Sequence, residues 1–162
     1  MKRELIPSWE DLERHRKVIP EIKPAAVIAM LELKEAGADI QEEILGTLRR
    51  DYHLSEGKFC TLIVLHQNPQ GIAPSQLAAK VGVTRATVSV MLQHMADEGT
   101  VTSHSDENDG RGKVFCLTKQ GRDFVEQILP PHYLRVTKLM EKLTEEEQKE
   151  LIRLLRKMQS EN

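Results

Sequence analysis

The sequence predicts a mainly α-helical fold with one small β-hairpin (α+β), on three observations. Apolar residues recur at helical spacing over most of the 162 residues. Two β-prone runs, "TVTSHS" and "KVFCLT", stand apart from that pattern and are separated by "DENDGRG", a polar and Gly-containing stretch suited to a hairpin tip in solvent. Between the helical and β-prone parts, Ala78, Gly82 and Val88 are spaced as two helices joined by a tight turn require. They supply a small residue at the crossing, a residue tolerant of positive φ in the turn, and an apolar lock on the second helix.

Each element has its own signal. Ser8 and Asp11 form a capping-box start for "WEDLERHRKV", which Pro20 ends. Pro24 suits a first helical turn and opens a long helix toward Leu54, in which Gly37 costs about 1 kcal/mol relative to Ala and marks a point for a kink. Ser55 caps "EGKFCTLIVLHQ", which "NPQG" closes, and "PSQLAAKV" follows Ala73. Thr84 caps the next helix and Gly99 stops it. From Lys119 the pattern is helical to the end, interrupted by Pro130–Pro131 and restarted by the capping box of Thr144 and Glu147.

Composition narrows the function. Aromatics are 4% of residues, which argues against a large aromatic cleft. The chain lacks both a long apolar run and the apolar centre of a signal peptide, so no membrane role and a cytoplasmic location are expected. Cys60 and Cys116 are expected to be reduced, buried thiols, with redox sensing as the minority reading. The six histidines show no metal-ligand spacing, and neither a Gly-rich phosphate loop nor a nucleophile elbow is present. No enzyme, metal or cofactor is expected. Net charge is −2, and residues 73–119 carry 5 basic and 5 acidic side chains, so any nucleic-acid contact must rest on local placement.

The helix after Thr84 carries the most specific signal. At about 100° per residue, Val88, Met91, Leu92 and Met95 form one contiguous stripe, with Leu77, Val81 and Val83 completing the core beneath it. Ser89, Gln93, Ala86 and Val90 occupy the opposite side, with Arg85 and Thr87 at its borders. An ordinary solvated helix carries Lys and Glu there; this one has neither Lys nor an acidic residue between Thr84 and Ala96. Small hydroxyl residues permit close approach to bases and phosphates, Gln pairs with adenine, and Ala, Val or Thr methyls meet thymine methyls. Ser75, Thr84, Arg85, Ala86, Thr87, Ser89, Val90 and Gln93 are therefore candidate contacts to double-stranded DNA. The hairpin adds Asp109, Arg111 and Lys113: an Arg on a narrow loop suits a minor groove, and a nearby Asp can hold its guanidinium. Asp106, Glu107 and Asp109 weigh on the other side, toward a merely solvated turn. A helix-turn-helix followed by a hairpin is a winged helix.

Residues 54–121 resemble the MarR family (multiple antibiotic resistance regulators). The likeness rests on "LSEGKFCTLIVL", "SQLAAKVGVTRATVSVMLQHMADEGTV" and "DENDGRGKVFCLTKQG" with their flanking long helices. The wing's Asp-x-Arg falls on Asp109 and Arg111, and the Leu-Thr-x-x-Gly after the last strand runs from Leu117 to Gly121. Val90 and His94 depart from the pattern, standing where many members have Arg. The resemblance implies dimerisation helices over 1–54, a winged helix-turn-helix DNA-binding domain over 55–121, and dimerisation helices again over 122–162. It also implies a homodimer that acts as a repressor on a pseudo-palindromic operator. Apolar faces that a small winged helix cannot cover fit that picture, with Val27, Ile28, Leu31, Ile128, Leu129, Leu139, Leu143, Leu151, Leu154 and Leu155 contributing; a monomeric bundle is the alternative. By the same resemblance a small aromatic or phenolic effector binds near Tyr52, His53, Phe59 and His66, which serve equally well as ordinary core. The competing function is a winged-helix protein–protein module without DNA, favoured by the balanced charge of 73–119.

Overall fold

A computed structural model describes residues 6–105 and 112–159. In chain order the elements are α1 (Trp9–Arg16), α2 (Pro24–Tyr52), α3 (Glu56–Gln67), α4 (Pro74–Val81), α5 (Arg85–Asp97), β1 (Val101–Ser105), β2 (Lys113–Leu117), α6 (Lys119–Met140) and α7 (Glu145–Gln159). They divide into an N-terminal unit ending at His53 and a second unit beginning at Leu54.

In the N-terminal unit, Ser8 and Asp11 close a reciprocal capping box on α1, and Leu12 is its buried residue. Pro24 opens α2, whose 29 residues run without a break through Gly37. A Cβ built at Gly37 meets nothing within 4 Å, so no packing requirement holds glycine there. The helix stops at His53, which takes the left-handed conformation (φ 54°) and donates its N–H to the Arg49 carbonyl at 3.1 Å.

The second unit holds the tri-helical core and the wing. Ser55 accepts the Lys58 N–H and starts α3. Gly82 ends α4 at φ 76°, a conformation that strains any residue with a Cβ, and donates to the Ala78 carbonyl at 2.9 Å. The chain can then turn at once into α5. Leu62, Leu65, Leu77, Val88, Leu92 and Met95 are at most 1% exposed and form the core on which the three helices cross. Strands β1 and β2 pair antiparallel from Val101↔Leu117 to Ser105↔Lys113, and Ile72 bridges Phe115 as a third, one-residue strand position.

The Leu117–Thr118–x–x–Gly121 sequence joins wing to helix for visible reasons. Leu117 is buried. Thr118 caps α6 by accepting the Gly121 N–H at 3.0 Å, while its own hydroxyl donates to the Gly99 carbonyl at 2.7 Å. Gly121 must lack a side chain, because a Cβ would fall on the Thr100 carbonyl.

Several expectations need correction. The Pro130–Pro131 pair does not interrupt the helix: α6 runs continuously from Lys119 to Met140. Each proline gives up one main-chain donor, but both accept the helical φ. Burial of Val125 and Ile128 just upstream holds the helix in place. Ile128 itself is 1% exposed within the single chain, so it belongs to the chain's own core and has no surface left for a partner. Val81 and Val83, at the helix-turn-helix turn, are half-buried, as are Cys60 and Cys116. The wing strand places alternate residues on opposite faces of a two-stranded ribbon, which cannot enclose Cys116 completely. Among the described residues no helix is long and apolar enough to cross a membrane, and no cluster of His, Cys, Asp and Glu could hold a metal ion.

Candidate nucleic-acid interface

The exposed side of α5 follows from what its other side buries. Val88 and Met95 are fully buried and Leu92 is 1% exposed, so three residues one turn apart fix the helix's rotation about its axis. Met91 is half-buried and is seated against α3: Thr61 Oγ1 donates to its sulfur at 3.1 Å. Gly57 leaves room there, since a Cβ would lie 3.2 Å from the Met91 methyl. An ion pair from Lys58 to Glu98 ties the same helix to the C-cap of α5. Thus α3 braces α5 from behind and leaves the front open.

That front carries Ala86, Ser89, Val90 and Gln93, all exposed; Arg85 and Thr87 beside them are exposed too. Val90 is 59% exposed, a large apolar side chain offered to solvent. At the helix start, Thr84 Oγ1 accepts the Thr87 N–H at 3.1 Å and lies 2.8 Å from the Thr87 hydroxyl. Ser89 donates its hydroxyl to the Arg85 carbonyl at 2.9 Å. Gln93 donates from Nε2 to Asp97 Oδ1, also at 2.9 Å. Asp97 escaped the sequence reading although a Gln followed four residues later by Asp is a known helical pair.

The remaining candidates are more dispersed. Ser75 is half-buried at the second position of α4, and Lys113 is exposed at the start of β2, opposite Ser105. Asp109 and Arg111, with Asp106, lie outside the described residues.

Of the effector candidates, Tyr52 is half-buried at the last position of α2 and His53 is its exposed cap. Phe59 and His66 are half-buried on α3, two turns apart on one face. Phe59 packs edge-on against His132, with ring centroids 4.8 Å apart. His132 was not singled out from the sequence. Its Nδ1 is buried without a hydrogen-bond partner, and burial, with Arg135 adding to it, pushes its pKa below the ordinary histidine value. Burial pushes the Cys60 thiol up, and the Glu56 carboxylate pushes it further. This lowers the thiolate population on which redox chemistry depends.

A helix-turn-helix followed by a two-stranded wing, with the second helix braced behind and open in front, defines a winged-helix protein. Residues 54–112 match the family model described as MarR family. The chain is 27% identical over 154 residues to the HTH-type transcriptional repressor YetL of Bacillus subtilis, covering 93% of this chain and 90% of that protein. Among solved structures it is similar to a MarR family transcriptional regulator from Streptomyces coelicolor in complex with DNA. The TM-score there is 0.75 at 22% identity, covering 85% of this chain and 87% of that one. It is also similar to BpsR of Bordetella bronchiseptica, from a structure on regulation of that protein's DNA binding by 6-hydroxynicotinic acid. Here the TM-score is 0.65 at 21% identity, covering 80% of this chain and 91% of that one. The Bacillus relative is thus a transcriptional repressor and the Streptomyces one a transcriptional regulator.

Proposed function

We propose that the chain is a homodimeric repressor that binds a pseudo-palindromic DNA operator and is released by a small aromatic or phenolic effector. The observation that carries this reading is the two-sidedness of α5. Val88, Leu92 and Met95 lock one side, while Ala86, Ser89, Val90 and Gln93 present a low, uncharged surface of the kind that fits a major groove. Ser75, Thr84, Arg85, Thr87, Asp109, Arg111 and Lys113 are the further residues proposed to contact the DNA. The repressor name of the Bacillus relative and the DNA in the Streptomyces complex support the same reading.

Self-association is supported by apolar surface that the single chain leaves uncovered. No residue of α7 is buried, and Ile152, Leu154 and Met158 are 47%, 44% and 68% exposed. Two copies would also supply the two recognition helices that a pseudo-palindrome needs, half-sites about one helical turn apart. The effector follows the Bordetella relative, whose DNA binding 6-hydroxynicotinic acid regulates; Tyr52, His53, Phe59 and His66 are the residues proposed to meet it.

A single titration tests the core of this. The purified protein is mixed with fragments of its native upstream DNA over a range of salt concentrations. Specific retention with a steep salt dependence is expected, because phosphate contacts release counterions. Arg111→Ala is expected to weaken operator binding without changing oligomer mass; unchanged affinity removes the wing from the mechanism. A protein–protein module is the second reading, favoured by the equal numbers of basic and acidic residues in 73–119. No retention of any upstream fragment, at low salt and without effector, selects it.

A further inference from the structure

The hydrogen bonds on the open side of α5 decide which base edges that side can read. We infer that Asp97 is a positioning residue that fixes the Gln93 amide, and that α5 reads A·T pairs through a row of acceptors beside a row of methyl groups. This rests on the DNA-binding reading above.

The first row is Ser89 and Gln93, one turn apart. A serine hydroxyl has one proton, and Ser89 gives it to the Arg85 carbonyl at 2.9 Å, so only its lone pairs remain for a base. Gln93 commits one of its two amide N–H groups to Asp97 Oδ1 at 2.9 Å. That bond is charge-assisted, and flipping the amide would set its oxygen against the carboxylate. The Gln93 oxygen and its second N–H are left in a fixed orientation. Adenine needs that pair, an acceptor for N6–H and a donor for N7. Guanine offers acceptors at both O6 and N7 and calls for two donors, which this row does not have.

The second row is Ala86 and Val90, again one turn apart and beside the first on the same exposed side. Val90, at 59% exposure, has a large apolar surface for a partner of like kind. An A·T pair presents an amino group and a thymine methyl in the major groove, whereas a G·C pair has no methyl and sets O6 beside the cytosine amino group. The two rows therefore match one pair type together. Residues four apart rise about 6 Å along a helix, roughly the rise of two base pairs, so each row addresses a short A·T step.

The experiment uses the full chain as wild type, Asp97→Ala and Asp97→Asn. Preferred duplexes are selected from random DNA, and the selected site is then rebuilt with purine in place of adenine, which deletes N6, or uracil in place of thymine, which deletes the methyl. Each selected half-site is expected to hold A·T pairs where α5 enters the groove, and purine at the adenine read by Gln93 is expected to weaken wild-type binding by roughly 5- to 100-fold. Asp97→Ala is expected to flatten the A·T over G·C preference there to about two-fold or less, without moving the thermal midpoint. Asp97→Asn keeps the side chain's shape but offers Gln93 a donor as well as an acceptor, so it no longer fixes the amide and is expected to flatten the preference as Asp97→Ala does. Selection of G·C at those positions overturns the inference and leaves DNA binding intact. So does an Asp97→Ala protein that keeps its preference, or one that binds every duplex equally more or less tightly. A protein that selects no sequence overturns this inference and the proposed function together.

Discussion

Replacing Gly121 by alanine should destabilise the second unit out of proportion to one methyl group. The new Cβ would fall on the Thr100 carbonyl oxygen, 3.0 Å from its carbon and 3.3 Å from Leu117 Cδ2. The obstacle is main chain and cannot rotate aside. That carbonyl accepts the Thr118 N–H at 3.1 Å, so moving it loosens the junction at which Thr118 also holds the Gly99 carbonyl. Overpacking costs about 1–3 kcal/mol, and weakening one largely buried hydrogen bond adds about 1 kcal/mol. The sum, about 2–4 kcal/mol, corresponds to a fall in Tm of roughly 4–16 °C for a chain of this size. The control is Gly37→Ala, where no atom lies within 4 Å. A helix-interior alanine there should instead stabilise by up to about 1 kcal/mol. Urea unfolding followed by circular dichroism, at one fixed protein concentration, reads both, since self-association would shift apparent stability. Gly121→Ala within about 0.5 kcal/mol of wild type would refute the reasoning, because no clash of that kind could then exist.

The two sides of α5 should also separate by substitution. Leu92→Ala, at a site 1% exposed, should cost about 2–5 kcal/mol of stability. Val90→Ala should change stability by less than about 0.5 kcal/mol and weaken operator binding; a large stability loss there would mean the open side is a packed one. His132 should make stability depend on pH. Its native pKa is lowered by burial first and by Arg135 second, so the unfolded chain protonates before the native one does. That contribution is fully present above the ordinary histidine pKa of 6.5 and is lost as pH falls toward the native value. His132→Phe retains a ring against Phe59 and does not titrate, so it should shrink the stability difference between about pH 7.5 and about pH 5.5. An undiminished difference would assign the pH dependence to other groups.

What the sequence made legible was periodicity and capping, because both are local. Ser8, Ser55, Thr84 and Thr144 all cap helices where turn chemistry places them, and the Val88, Leu92 and Met95 stripe is buried as its spacing requires. The misreadings came where a nonlocal balance decides. Pro130 and Pro131 look like a break because each removes a ladder bond, yet burial of Val125 and Ile128 outweighs two lost donors. Ile128 looked like partner-facing surface because the pattern tells which residues are apolar and not what covers them.

The candidate interface divides along the same line. Which side of α5 is exposed was legible, since the absence of Lys, Asp and Glu between Thr84 and Ala96 is a property of the sequence. The hydrogen-bonding polarity of that side was not. Ser89 and Gln93 each carry donors and acceptors, and a list of residue types leaves every pairing open. Only the bonds to the Arg85 carbonyl and to Asp97 determine which of those groups are already committed. A helix rich in hydroxyl and amide groups is thereby turned from a general binder into a surface whose acceptors outnumber its donors. Base preference is then set by a carboxylate at the last position of α5, through the side chain it holds.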